Sequence, residues 1–122
     1  MELSRESCVP CRKGTPSLTR VEVTELLPLV PDWHLTDDGK GISRRYSFID
    51  FVQAMSFVNR MADLAEVEGH HPDFSVHYKD VDVELSTHDV GGLSRNDFIV
   101  AAKINQISQH IANQGTGPAG AR

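Results

Sequence analysis

Apolar residues recur at steps of three and four in three stretches of the chain, which is the spacing of a helix with one buried face. The first stretch predicts a helix over about residues 20–29, where Pro28 and Pro31 limit its length. The second begins near residue 51 and ends at Gly69, and Pro72 prevents it from continuing. In chain order, the predicted buried faces are Val21, Leu26, Leu27 and Val30; Phe51, Met55, Val58, Ala62 and Ala65; and Val100, Ile104, Ile107 and Ile111.

Each helical stretch is preceded by a pair of polar residues three apart, which is the spacing of a capping box. In a capping box each side chain binds the free backbone N–H of the other residue, so such a pair marks the N-terminus of a helix. The pairs are Thr19 and Glu22, Ser47 and Asp50, and Ser94 and Asp97.

Between the helices the hydrophobic pattern changes to a period of two, which is typical of strands with one buried face. Two short apolar segments flank the glycine-containing stretch at residues 37–41 and predict a hairpin. Residues 74–88 also alternate, with a tight turn expected around Lys79 and Asp80. The two alternating apolar sets are Phe74, Val76 and Tyr78 in the first strand, and Val81, Val83 and Leu85 in the second.

The predicted order is helix, two strands, helix, two strands, helix, which defines an α+β domain. Because the strands occur as hairpins, we expect a four-stranded antiparallel sheet with three helices packed on one face. Residues 1–16 are predicted to form an irregular N-terminal arm, residues 17–113 the folded domain, and residues 114–122 a disordered tail.

The composition is that of one globular domain, with 122 residues of which 39% are hydrophobic and 24% charged. Twelve basic and seventeen acidic residues give a net charge of −5 without a basic stripe, which argues against a nucleic-acid partner. No apolar run approaches the roughly 20 residues that span a bilayer, and the N-terminus does not resemble a signal peptide. We therefore expect a cytoplasmic protein that does not associate with membranes.

Cys8 and Cys11 form an isolated Cys-x-x-Cys pair in the N-terminal arm. Such pairs occur in redox motifs and as half of a zinc site. A second pair of thiolates is missing, and no strand precedes the motif as in a thioredoxin-like fold. Two reduced thiols are the expectation, and zinc shared with another chain or with a histidine is the alternative.

Histidines are concentrated at the end of the second helix, in the sequence EGHHPDF. Glu66 and His70 are four residues apart, so a helix that reaches His70 would place them in contact on one face. His71 follows where the helix has stopped, and His88 lies at the end of the last strand, on the side opposite its apolar residues. A carboxylate bound to an imidazole fixes its tautomer and favours its protonated form.

Three interpretations of these histidines are open on the residues alone. Adjacent histidines at a helix terminus commonly bind the last carbonyls of the helix, and a single histidine at a strand end is commonly a surface residue. Three histidines with Glu66 could instead ligate zinc, although the chain has no HExxH motif and no two histidines at a helical spacing of four. They could also act as a metal-free acid and base, which typically contributes ~10²–10⁴-fold to a rate.

The same residues resemble the pterin-4a-carbinolamine dehydratase family. The family pattern is an acidic residue, three further residues, His-His-Pro, an aromatic residue, a distant histidine and a later aspartate. Here the pattern consists of Glu66, residues 70–72, Tyr78, His88 and Asp97. The stretches EGHHPDF and LSTHDVGGLSRNDF and the opening CxxCRxG are similar to bacterial members that accompany phenylalanine hydroxylase, and the resemblance extends from Cys8 to about Ile111.

The resemblance implies a four-stranded antiparallel sheet backed by three helices, assembled as a homodimer or homotetramer. It also implies a hydro-lyase that removes water from 4a-hydroxytetrahydropterin (4a-hydroxytetrahydrobiopterin) and leaves quinonoid dihydropterin. This reaction returns the cofactor of aromatic amino acid hydroxylases such as phenylalanine hydroxylase to its recycling pathway. No electrons move in it, so the resemblance implies neither a redox cofactor nor a metal.

The resemblance also implies roles for individual residues. His70 and His88 would be the acid–base pair, His71 would bind the pterin and share in proton transfer, and Glu66 would orient His70. Tyr78 and Asp97 are interpreted structurally, as a packing residue of a strand and as a helix cap. The implied pterin-binding residues are Gly69, His70, His71, Ser86, Thr87, His88 and Asp89.

The alternative function belongs to another class. An interaction protein on the same scaffold, similar to transcriptional coactivators or to Rubisco assembly factors, would use an exposed sheet face or helix surface. Such a role would not require the histidines.

Overall fold

The computed structural model describes residues 2–114, and residues 115–122 of the predicted tail lie outside this range. The helices are α1 (Arg20–Leu26), α2 (Phe51–Glu68) and α3 (Arg95–Gln114), and the strands are β1 (His34–Leu35), β2 (Ile42–Ser47), β3 (Asp73–His77) and β4 (Asp80–Leu85). The strands form one antiparallel sheet in the order β1-β2-β4-β3. The predicted α+β fold is confirmed. None of the helices in the described part of the chain combines the length and apolar character that crossing a membrane requires.

The two faces of the sheet have opposite character. Residues paired directly across antiparallel strands share a face, so Ile42 lies beside Leu85, and Tyr46 beside Val81. All four are buried and pack in the core with helix residues that include Phe57, Met61, Phe98 and Ile104. The opposite face is polar and carries Ser43, Arg45, Ser75, Asp82 and Glu84.

The predicted helix starts are confirmed at α1 and corrected at α2. At α1 the Glu22 backbone N–H donates to the Thr19 hydroxyl, and the Thr19 N–H donates to the Glu22 carboxylate, forming the full capping box. At α2 the capping residue is Asp50, whose carboxylate accepts from the Gln53 N–H, and Ser47 is the last residue of β2 instead. Asp50 could take this position because it also belongs to the residue types that cap helices best.

The predicted buried faces of α1 and α2 are partly wrong. Val21, Phe51 and Ala62 are exposed, and the α2 residues buried in the core are Ala54, Phe57, Val58, Met61 and Ala65. Apolar residues occupy more than one side of α2, so two neighbouring faces of the helix both show apolar residues at steps of three and four. The fully buried side chains of Phe57 and Met61 show which of these two faces packs against the core. For α3 the predicted residues Val100, Ile104 and Ile111 are buried.

The turn of the β3–β4 hairpin lies one residue earlier than predicted. His77 pairs with Asp80, so the two loop residues are Tyr78 and Lys79. Tyr78 has φ 54°, the positive value that the turns favoured in two-residue hairpins require. Its side chain is exposed, so the predicted packing of Tyr78 in a strand is wrong. Sequence rules assign positive φ to glycine or asparagine first, and neither is present here.

A polar network is buried between the sheet and α3. The Asn105 side-chain oxygen accepts from the Trp33 indole N–H at 2.9 Å, from Arg44 Nη1 at 2.7 Å, and from the Tyr46 hydroxyl. The Asn105 amide N–H group donates to the Pro31 carbonyl at 3.2 Å. One amide therefore serves donors from β2 and from the segment that precedes β1, and it ties both to α3.

We expect Asn105→Ala to lower the free energy of unfolding by about 3 kcal/mol, because it removes the acceptor that Trp33 and Tyr46 share and leaves the Trp33 indole only its 3.1 Å bond to the Tyr46 hydroxyl. Urea denaturation followed by circular dichroism measures the change. Ser108→Ala is the matched control on the same helix, since it removes only one local bond to the Asn105 carbonyl and should cost less than about 1.5 kcal/mol. Equal losses for the two variants would contradict the role assigned to the network.

Candidate active site

The end of α2 sets the direction of the two adjacent histidines. Gly69 adopts the left-handed conformation with φ 67°, which glycine reaches without steric cost. The backbone N–H groups of Gly69 and His70 both donate to the Ala65 carbonyl, at 2.9 and 3.2 Å, and so close the helix. Because the chain turns at Gly69, His70 leaves the helix face that carries Glu66.

His70 instead binds Asp97, whose side chain is fully buried. His70 Nε2 lies 2.6 Å from Asp97 Oδ1. A carboxylate only accepts hydrogen bonds, so Nε2 carries the proton and Nδ1 is the ring nitrogen left for a substrate. The His70 side chain is 12% exposed, so this imidazole–carboxylate pair is largely shielded from water.

Two further donors complete the surroundings of Asp97. The Thr87 hydroxyl donates to Oδ2 at 2.8 Å, and the Ser94 backbone N–H donates to the same oxygen at 2.9 Å. Because the Thr87 proton is used on Asp97, the Ser94 hydroxyl is the donor in the 2.7 Å bond between the two hydroxyls. The predicted capping box at α3 is thus half formed, since the Ser94 hydroxyl serves Thr87 instead of the Asp97 N–H.

His71 forms a second imidazole–carboxylate pair outside the core. His71 Nε2 lies 2.6 Å from Glu66 Oε2, and the two side chains are 59% and 78% exposed. Water screens a pair as exposed as this one. The expected contact of Glu66 with His70 is therefore wrong, because α2 stops before His70 and Glu66 reaches the following histidine.

The β3–β4 hairpin brings the second candidate segment beside the first. β3 begins at Asp73, two residues after His71, and β4 ends at Leu85, directly before Ser86. Asp73 pairs with Glu84, so the chain enters and leaves the hairpin on strands about 4.8 Å apart. After β4 the chain forms a short 3-10 turn and leads into α3 and Asp97.

A cavity of about 270 Å³ adjoins this segment. Residues 86–88 line it together with Asp38 and Lys40 from the turn between β1 and β2. His70 and His71 are not among its lining residues. His88 is exposed and lines this cavity, and it follows Thr87 directly in the chain.

Thr87 connects the two parts of the candidate site. This residue lines the cavity, and its hydroxyl binds the carboxylate that holds His70. Asp89 contributes differently from the expectation: it is exposed, it does not line this cavity, and its carbonyl accepts from the Gly14 N–H at 3.3 Å.

Asp97 and Lys40 are the residues that sequence reasoning left out of the site. Asp97 carried a usable signal, because an acidic residue in the first turn of a helix needs only one oxygen for capping and can offer the other elsewhere. Lys40 carried none, because a lysine in a glycine-rich turn is ordinarily solvated. Its place on the cavity wall depends on how the β1–β2 turn folds over the end of β4.

Metal binding finds no support in the arrangement of possible ligands. Within residues 2–114, no three side chains of His, Cys, Asp or Glu are grouped so that they could hold a metal ion. Cys8 and Cys11 are both free thiols in the structure.

Comparisons with known proteins identify the family and agree with the fold. The family described as Pterin 4 alpha carbinolamine dehydratase matches residues 16–107. A relative from Stenotrophomonas maltophilia (strain K279a) is 44% identical over 109 residues, which are 89% of this chain and 94% of the relative. One from Xanthomonas campestris pv. campestris (strain 8004) is 47% identical over 105 residues, 86% of this chain and 89% of the relative. Both are named "Putative pterin-4-alpha-carbinolamine dehydratase".

Two solved structures resemble the fold. A transcriptional coactivator/pterin dehydratase from Brucella melitensis aligns with a TM-score of 0.73 and 36% identity, covering 75% of this chain and 98% of that one. A pterin dehydratase-like protein identified as a RuBisCO assembly factor in the alpha-carboxysome aligns with a TM-score of 0.56 and 19% identity, covering 63% of this chain and 89% of that one. At 19% identity the second likeness concerns the fold alone.

The two imidazole–carboxylate pairs have the same length and differ in burial, which makes them a matched test. We expect Asp97→Asn to lower the free energy of unfolding by about 3 kcal/mol. The new NH₂ group can only donate, so it would point at N–H or O–H groups that now donate to the buried carboxylate. Glu66→Gln should change it by less than about 1 kcal/mol, because its pair with His71 is exposed. Guanidinium denaturation measures both, and a similar cost for the two variants would show that burial does not separate the pairs.

Proposed function

Because the chain belongs to the pterin-4a-carbinolamine dehydratase family, we propose that it removes water from 4a-hydroxytetrahydropterin to give quinonoid dihydropterin. The observation that carries this proposal is the buried His70–Asp97 pair, tied through Thr87 to a cavity that His88 also lines. An imidazole oriented by Asp97 and an exposed one on the residue after Thr87 suit a reaction that needs one group to accept a proton and another to donate one.

The elimination breaks the C4a–O bond and removes the proton from N5 of the pterin. In the proposed mechanism, His88 as imidazolium donates a proton to the 4a-hydroxyl, which leaves as water. His70 accepts the N5 proton at Nδ1, and the electron pair of the N5–H bond forms the C4a=N5 bond. Proton exchange with solvent then restores both histidines, so the reaction balances without an oxidant or reductant.

Asp97 suits His70 to the role of base. Its bond to Nε2 holds the neutral ring in the tautomer whose Nδ1 has a free electron pair. When Nδ1 accepts a proton, the carboxylate 2.6 Å away stabilises the imidazolium that forms. Asp97 is therefore a positioning residue in this proposal, and it takes the orienting role that sequence reasoning assigns to Glu66.

The remaining residues of the proposed site bind and orient the pterin. His71 lies next to His70 in the chain, and its Nδ1 is free because Nε2 is bound to Glu66. Ser86 and Thr87 line the cavity beside His88. We include Gly69 and Asp89 as pterin contacts on the resemblance alone.

The proposed cellular setting follows from the reaction. An enzyme acting on 4a-hydroxytetrahydropterin takes over the product of an aromatic amino acid hydroxylase such as phenylalanine hydroxylase. Its partners would be this small-molecule substrate and further copies of the same chain, as a homodimer or homotetramer in the cytoplasm. An interaction protein without catalysis would bind its partner through an exposed surface and give no turnover, so turnover distinguishes the two functions.

We expect the purified protein to accelerate the dehydration of freshly prepared 4a-hydroxytetrahydropterin, followed by ultraviolet absorbance. His70→Ala and His88→Ala should each lower kcat/KM by ~10²–10³-fold, because each removes one partner of the proton transfer. His77→Ala is the matched control: His77 is exposed on β3 and bonds to Ser75, so its removal should leave the rate within twofold.

A wild-type rate equal to that of buffer would end the enzymatic proposal. If His88→Ala retained full activity while His70→Ala did not, the acid would have to be another group, and the assignment of His88 would be wrong. Circular dichroism of each variant separates a lost catalytic group from a lost fold.

A further inference from the structure

The N-terminal strap, defined here as residues 3–18, is bound to the end of α2. Leu3 anchors it in the hydrophobic core. The Cys8 backbone N–H donates to Glu68 Oε1 at 2.9 Å, and Lys103 of α3 donates to Glu68 Oε2 at 2.6 Å. The Glu68 and Lys103 side chains are 7% and 18% exposed. Glu68 is the last residue of α2 and precedes His70 by two positions.

The next residue of the strap is bound to the start of α3. The Val9 N–H donates to the Asn96 side-chain oxygen at 3.1 Å, and the Asn96 amide donates to the Val9 carbonyl at 2.6 Å. Asn96 is buried and directly precedes Asp97. Two consecutive strap residues, Cys8 and Val9, therefore bind Glu68, two positions before His70, and Asn96, one position before Asp97.

The strap also contacts the segment that carries His88. The Gly14 N–H donates to the Asp89 carbonyl at 3.3 Å, and the Leu18 N–H donates to the Leu93 carbonyl at 2.8 Å. All three segments of the candidate site are thus bound by one stretch of chain that contributes no group to the proposed chemistry.

We infer that Glu68 and Asn96 are positioning residues, which act through the N-terminal strap to hold the end of α2 against the start of α3 and so keep His70 on Asp97. The inference rests on the proposed function only in treating the His70–Asp97 pair as catalytic. Its geometric content, that strap binding maintains the pair, stands on the contacts themselves.

The physical reason is the break at Gly69. After this left-handed residue, His70 is outside the helix and depends on how far the ends of α2 and α3 are apart. Hydrogen bonds near helix ends open readily unless further contacts hold them. The strap supplies such contacts to both helix ends. They are polar bonds in a partly buried place, where losing one partner leaves the other without a hydrogen bond.

The pKa shifts of Glu68 and Cys8 are those expected when the strap is bound to the end of α2. Burial alone would raise the pKa of Glu68, but the Cys8 N–H and Lys103 outweigh it and lower that pKa below its usual value. Burial and the neighbouring Glu68 carboxylate raise the pKa of the Cys8 thiol to about 12. Cys8 is therefore a poor nucleophile while the strap is bound, and its alkylation reports on strap opening.

The test uses the full chain in a Cys11→Ser background, so that Cys8 is the single thiol. The Asn96 amide also donates to Cys11 Sγ at 3.4 Å, so the reference for every variant is the Cys11→Ser protein. Relative to it, Asn96→Ala should raise the alkylation rate of Cys8 by roughly tenfold, the opening expected from losing the two hydrogen bonds to Val9. In ¹⁵N NMR of the imidazoles, the neutral His70 ring should change from the Nε2–H tautomer toward a mixture of both. Val81→Ala, a core substitution in β4 away from the strap, controls for a general loss of stability.

A second pair of variants distinguishes loss of the strap hydrogen bond from loss of the Glu68–Lys103 salt bridge. Glu68→Gln with Lys103→Met removes the charges but keeps an oxygen that can accept from the Cys8 N–H. Glu68→Ala with Lys103→Met removes that oxygen as well. We expect the first double variant to hold the His70 tautomer as the wild type does, and the second to shift it as Asn96→Ala does. Cys8 alkylation is compared between the two double variants, which carry the same charge, and should be faster in the second, because the Glu68 carboxylate itself contributes to the raised pKa of Cys8.

The outcomes decide the inference without reference to turnover. Faster alkylation with an unchanged His70 tautomer would show that the strap opens without affecting the pair, and would overturn it. Unchanged alkylation of Cys8 in Asn96→Ala would also overturn the inference. A changed His70 tautomer in Glu68→Gln with Lys103→Met, which keeps the accepting oxygen, would overturn it too. If the protein turns over 4a-hydroxytetrahydropterin, Asn96→Ala should lower kcat and leave KM within twofold; a wild type without turnover would refute the proposed function alone.

Discussion

The structure depends on the burial of one carboxylate. Asp97 is fully enclosed, and a buried carboxylate without partners is far too costly for a domain of this size to tolerate. Its donors are His70, Thr87 and Ser94, which come from the segments after α2, after β4 and before α3. The charge can stay buried only while all three segments meet, so the same condition that stabilises the fold also assembles the candidate site.

The contrast between the two histidine pairs shows what burial adds. Both pairs join an imidazole Nε2 to a carboxylate at 2.6 Å, and distance alone would make them equivalent. Around Glu66 water competes for both partners, so the bond with His71 imposes little order on the ring. Around Asp97 no water competes, and the carboxylate fixes the tautomer of His70 in the folded state. A histidine that must present the same ring nitrogen to a substrate therefore requires a buried carboxylate such as Asp97, and an exposed one such as Glu66 would not hold it.

Sequence reasoning succeeded where a pattern is local and failed where two distant segments meet. The two hairpins and three helices follow from periodicity within windows of ten to twenty residues, and their order determined the α+β architecture. The expected Glu66–His70 contact assumed that helical spacing continues to residue 70, but the left-handed Gly69 ends it one residue earlier. The bonds of Cys8 to Glu68 and of Val9 to Asn96 join residues 60 and 87 apart in an arm without periodicity, so no local signal announces them.

The register of the β3–β4 hairpin links these observations, because the two halves of the site lie at its open end. Asp73 faces Glu84, so the residues just before β3 and just after β4 are neighbours regardless of their side chains. A slip of one residue would turn Val81, Val83 and Leu85 from the core to the polar face and is therefore excluded by their burial. The core thus fixes the register, and the register fixes which connecting segments meet. The chemistry of these segments can then be carried by residues that contribute little to the core, such as the exposed His71 and His88.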